Sequence, residues 1–113
     1  MPSGTGSFDS LYHAQVTGTV LQVSAVPVDI GAYHILNTVA AITYIQFFYK
    51  LAAAVTLGTT VADFTIALPA SGGATLNFSG QGWRTRGALS VASTTTPTGL
   101  TGALSHISLY KAR

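Results

Sequence analysis

The chain has 113 residues, 5 basic and 3 acidic side chains, and no cysteine. That length suits one domain with a core of its own, and the missing thiols exclude a disulfide framework, a thiolate metal site and a cysteine nucleophile. Charged residues make up 7% and hydrophobic ones 48%, against roughly 25% charged in an ordinary soluble protein, which argues against disorder, against phosphate-driven nucleic-acid binding and against a free, highly soluble monomer.

Residues 1–12 are rich in Gly, Ser and Pro and are read as a flexible N-terminal arm, followed by a single domain over 13–113. The arm has neither a basic n-region nor an apolar h-region, so no secretory signal is read and synthesis in the cytoplasm is expected. Gln15 to Val26 is strand-like, but its apolar phase changes between Val20 and Leu21. A β-bulge is the simplest expected cause. Asp29 to Thr38 is a second strand, with Ile30, Ala32, His34 and Leu36 on one face. Gly31, Tyr33, Ile35 and Asn37 take the other.

Ile42 to Leu51 is the strongest strand. Ile45, Phe47 and Tyr49 alternate with Tyr44, Gln46 and Phe48. With aromatic rings on both faces, it is expected at the centre of a sheet, one face on the core and the other under a partner or a long loop. The apolar stretch from Val39 to Leu57 is interrupted by Gln46 and Lys50 and is strand-patterned, so no membrane span is read. The alanines after Leu51 suit one turn rather than a helix. Phe64 to Leu68 and Ala74 to Phe78 alternate cleanly around Ser71-Gly72-Gly73, a hairpin signal. Ala88 to Ser93 points Leu89 and Val91 inward. Leu104 to Lys111 puts Ser105, Ile107 and Leu109 on one face. The sum is all-β: a small antiparallel β-sandwich of seven to eight strands, jelly-roll or Ig-like.

Residues that could carry chemistry are few. His13, His34 and His106 have no metal-ligand spacing, although strands could bring His34 and His106 together. Asp29 and Asp63 sit at strand starts and suit turn chemistry. No serine lies in a Gly-x-Ser-x-Gly elbow, and Gly80-Gln81-Gly82 opens no helix. No catalytic residue, metal or cofactor is assigned, and an enzyme is not expected.

Trp83, flanked by Arg84 and Arg86, is the most distinctive polar cluster. It suits an interface anchor, a stacking platform for a sugar or base, or a ring packed under its own loop. Thr-rich, nearly uncharged strands suit flat contacts between identical copies, and uncharged sheet edges need a cover. The candidate interface residues are Phe8, Leu11, Tyr12, Tyr44, Phe48, Trp83, Arg84 and Arg86. Phe8 to Tyr12 would tether the arm to a neighbour. Tyr44, Phe47, Phe48 and Tyr49 would build the core and part of the interface.

Ile42-Thr43-Tyr44-Ile45-Gln46-Phe47-Phe48-Tyr49, then Val55-Thr56-Leu57-Gly58-Thr59-Thr60, Leu68-Pro69-Ala70-Ser71-Gly72-Gly73-Ala74 and Leu89-Ser90-Val91-Ala92-Ser93-Thr94-Thr95-Thr96 together resemble small virion structural proteins of tailed phages, including cyanophages. The resemblance covers about residues 39–102 and implies a β-sandwich subunit of a virion, assembled as a homotrimer. It transfers no functional residue. The expected function is a capsid decoration (cement) protein that stabilises the phage head. Its partners would be further copies of itself and the major capsid protein or other virion proteins, with neither nucleic acid nor membrane. Alternatives are a head-fibre, tail or baseplate component, or a glycan-binding β-sandwich module using Trp83.

Overall fold

β-branched and aromatic residues at period two make nine strands in the computed structural model, which describes residues 8–77 and 83–112. They are β1 (Phe8–Val16), β2 (Leu21–Ser24), β3 (Asp29–Asn37), β4 (Thr43–Phe48), β5 (Phe64–Leu68), β6 (Gly73–Asn77), the two-residue β7 (Trp83–Arg84), β8 (Leu89–Thr94) and β9 (Ser105–Ala112). Ala52–Ala54 forms one 3-10 turn, the single turn expected of a short alanine run.

The strands form two antiparallel sheets, ordered β1-β9-β3-β6 and β2-β8-β4-β5, with β7 added to β3. Set β7 aside and the pairs nest: β1 with β9, β2 with β8, β3 with β6, β4 with β5. One long antiparallel ribbon has been rolled up, which is jelly-roll winding rather than the Ig alternative.

Several local expectations change once the sheets are seen. Residues Phe8 to Tyr12, assigned to the arm, lie in β1 and pair with β9 from Phe8↔Ala112 onward. Leu11 and Tyr12 pack against the core, so their burial holds this segment in the sheet. The rest of the arm, residues 1–7, lies outside the described residues, as do Phe78 and the Gly80-Gln81-Gly82 loop. The phase change after Val20 is not a bulge: β1 and β2 belong to opposite sheets. The chain crosses the sandwich there, so its inward side reverses. Ser71-Gly72-Gly73 likewise joins strands of opposite sheets, not a hairpin. A bulge does occur in β3, between Ile30 and Ala32. It turns Ile30 inward with Tyr33 and Ile35, while His34 and Leu36 face out.

Between the sheets lies an apolar core of Ile30, Tyr33, Ile35, Ile45, Phe47, Leu68, Leu89, Val91, Ile107 and Leu109. One end is polar instead. Ser105 Oγ stands 2.9 Å from Ser93 Oγ and 3.2 Å from Thr43 Oγ1, all three buried. Nearby turns are fastened by buried Asn37. Its amide donates to the carbonyls of Ala41 (2.8 Å) and Pro69 (2.9 Å), and its Oδ1 accepts from Val39 N–H (3.0 Å).

The outer faces of the two sheets differ. On the β1-β9-β3-β6 sheet, His13, Gln15, His34 and Leu36 face outward and are exposed. On the other sheet the outward residues of β4 and β8 are largely covered by the chain's own loops, 49–63 and 95–102. This explains why central β4 is buried on both faces.

Candidate functional site

β7 sets Trp83 at one end of the sandwich by pairing with the start of β3, in register Ile30↔Trp83 and Asp29↔Arg84. The indole meets rings from the opposite sheet. Its centroid is 5.2 Å from Phe47, edge-on at 88°, and 5.2 Å from Phe64. Its Nε1–H donates to Tyr49 Oη at 2.6 Å. The following turn is pinned by Thr85, 1% exposed. Thr85 Oγ1 accepts from Val28 N–H (3.0 Å) and donates to Gly87 O (2.9 Å). Trp83 thus bridges the two sheets with its ring and its N–H engaged within the chain. A stacking platform needs an open ring face, and Trp83 is half-buried rather than enclosed.

The other candidates do not form one patch. Arg84 makes a forked contact with Asp29, both oxygens 3.1 Å from Nη1, at an exposed position. Arg86 is exposed, and Tyr44 is half-buried on the outward side of β4. Leu11 and Tyr12 lie against the core. Phe48 is fully enclosed by its own chain, which corrects its reading as an interface residue: a ring without exposed area has none to give a partner. For Phe8 the structure describes the backbone, in β1.

Three strands align the histidines in a way their sequence spacing hides. His34 is opposite Ser108, and Ser108 is opposite His13. His106, two residues along β9, lies diagonal to both on the same outward face. His13 also meets Tyr110 edge-on, centroids 5.6 Å apart. Among the described residues no group of three or more His, Cys, Asp or Glu side chains is placed to hold a metal ion. Asp63 Oδ2 accepts from Tyr49 N–H at 2.7 Å, a bond to a residue 14 positions away rather than within a local turn. Burial raises the Tyr12 and Tyr33 phenols above their ordinary value.

The one feature that sequence reasoning missed is a cleft of about 200 Å³ over the outer face of β4 and β5. Its floor includes Gln46 and Thr65, which are direct cross-strand neighbours. Its walls come from Gly58–Ala62 and from Pro97 and Thr98. Val61 (82% exposed) and Leu100 (65%) stand on the two loops that make it. The available signal was Gln46 itself, a long amide in the middle of an apolar strand.

No protein-family model matches the chain, and no curated protein matches it in sequence. Among solved structures, a chain from Bacillus endospore appendages, described as a novel family of disulfide-linked pili, is similar over 99% of this chain and 96% of that one. The identity is 14% and the TM-score 0.37, a likeness too low to carry an argument about function.

Proposed function

We propose that the chain is a structural protein of a virion, a decoration (cement) protein that acts in multiple copies on a phage head. The observation that carries this reading is the character of the sheet edges. Edge strands β2, β5 and β6 hold no charged residue, and the two-residue β7, also paired to β3, holds one, Arg84. β1 holds only Asp9. Free edges of soluble proteins are ordinarily blunted by lysine, proline or other charge, whereas edges that a neighbouring subunit covers need no such guard. Exposed Val26, Leu36, Ile42, Leu51, Val61 and Leu100 add apolar area of the kind that subunit contacts bury. A two-sheet jelly roll suits a rigid clamp, although it hosts many functions and supports this one by analogy alone. The resemblance of residues 39–102 to small phage virion proteins points the same way.

The test is binding of purified protein to intact capsids, with copy number measured and density located in a particle reconstruction. Many symmetric copies on the head are expected. Density confined to the tail would replace this reading with a tail or baseplate role, and a clean monomer without particle binding would end it.

A further inference from the structure

The cleft over Gln46 has a hydrogen-bond acceptor that the described residues leave unused. Gln46 is 1% exposed. Its Nε2 donates to Thr94 Oγ1 at 2.7 Å and to Gly99 O at 3.2 Å. A backbone carbonyl only accepts, so the amide nitrogen must face Gly99 and the reverse orientation is excluded. Thr94 Oγ1 passes its own hydrogen to Thr96 O at 2.8 Å, which leaves it as an acceptor for Gln46. Both amide hydrogens are therefore used. Oε1 has no hydrogen-bond partner among the described residues, and Gln46 lines the cleft. A buried acceptor left unpaired is costly, and such groups in native proteins have a reason.

The walls say what kind of donor suits it. No charged side chain lines the cleft, which disfavours an ionic ligand. Thr59, Thr65 and Thr98 line it, and their hydroxyls have no hydrogen-bond partner among the described residues. Val61, Ala62 and Pro97 supply apolar contact beside them. A volume of about 200 Å³ is below the roughly 300–1,000 Å³ of drug-sized pockets, but holds one sugar ring. We infer that this cleft is a binding site for a neutral polyhydroxylated molecule of about monosaccharide size, one of whose hydroxyls donates to Gln46 Oε1 while others meet the threonine hydroxyls. Apolar C–H faces of the ring would lie on Val61, Ala62 and Pro97. The site is on the opposite face of β4 from the Trp83 cluster and does not depend on the proposed virion role.

Titration of 15N-labelled protein with glucose, galactose and N-acetylglucosamine, each to about 50 mM, tests this, since so small a ligand is expected to bind in the millimolar range. Saturable shifts are expected in the Gln46 side-chain amide and in the backbone amides of Thr59, Thr60, Thr65 and Thr98, for at least one sugar. Gln46→Leu should weaken binding roughly fivefold or more, the size of one hydrogen bond. That variant also strips the bonds to Thr94 and Gly99. Thr65→Val and Thr98→Val leave those bonds intact, change exposed side chains, and should each weaken binding in a folded protein. Absence of saturable shifts with all three sugars, shifts centred on Trp83 instead, or unchanged affinity in both valine variants would overturn the assignment.

Discussion

Phe47 has no exposed surface and packs between the sheets against Trp83 and Phe64. Phe47→Ala should therefore cost about 3–5 kcal/mol of stability. Urea unfolding monitored by circular dichroism reads it, and a loss below roughly 1 kcal/mol would mean that the site collapses around the gap. Arg84→Ala removes an exposed ion pair with Asp29 and should change stability by no more than about 1 kcal/mol. The two buried phenols set a pH dependence. Tyr12 and Tyr33 have pKa values raised by burial, so above the ordinary tyrosine value the unfolded chain releases protons that the folded chain keeps. The unfolded state then binds fewer protons, and stability falls as pH rises. It should be unaffected by these groups below that value and decline through the alkaline range up to the folded pKa values. Thermal melts across pH 8 to 11 of the wild type and Tyr33→Phe check this: the variant should decline less steeply.

At the scale of elements, the crossings between sheets are where the fold is most exposed to single changes. Asn37 fastens the segment after β3 and the β5–β6 crossing through its bonds to Ala41, Pro69 and Val39. Asn37→Leu removes three hydrogen bonds made by a fully buried side chain, each worth on the order of 1 kcal/mol. A loss of about 2–4 kcal/mol is expected in denaturant unfolding, well beyond the effect of a surface substitution. The β1–β2 crossing depends on close backbone approach: a Cβ on Gly18 would stand 2.8 Å from Gly102 Cα. Gly18→Ala should destabilise by about 1–3 kcal/mol through overpacking, whereas alanine at an unconstrained glycine stabilises slightly. Equal melting temperatures for Gly18→Ala and wild type would show that the two loops can separate at no cost. These crossings were the part of the strand pattern that misled. An apolar phase change and a Ser-Gly-Gly turn look alike in sequence whether the next strand pairs with its predecessor or leaves for the other sheet.

At the scale of the whole molecule, the two sheet faces are unequal. One carries His13, His34, Leu36 and Gln15 in the open, and the other is largely roofed by the chain's own loops. Any assembly through the uncharged edges should be nearly insensitive to salt, since screening acts on charges that are scarce here. Light scattering after size exclusion, at about 0.05 and 0.5 M salt, should give the same oligomeric mass in both. Dissociation at the higher salt would place the contact on the few arginines and lysines instead.

The sequence by itself determined the all-β class, the location of most strands and the inward side of β8 and β9, because a period of two in Val, Ile, Leu and Phe registers burial directly. Leu89, Val91, Ile107 and Leu109 show this. It also determined that β4 is central, since aromatic rings on both sides of one strand demand two covers. Only the tertiary structure decided which strands pair, that the winding is a jelly roll, that Phe8 to Tyr12 are sheet rather than arm, and that Phe48 lies under the chain's own loops rather than a partner. Pairing is a contact between distant segments. Alternation reports that a side chain is covered, but not by what. The same limit hid the cleft: Gln46, Thr65, Thr94 and Gly99 meet only when β4, β5 and β8 lie side by side and two loops fold over them.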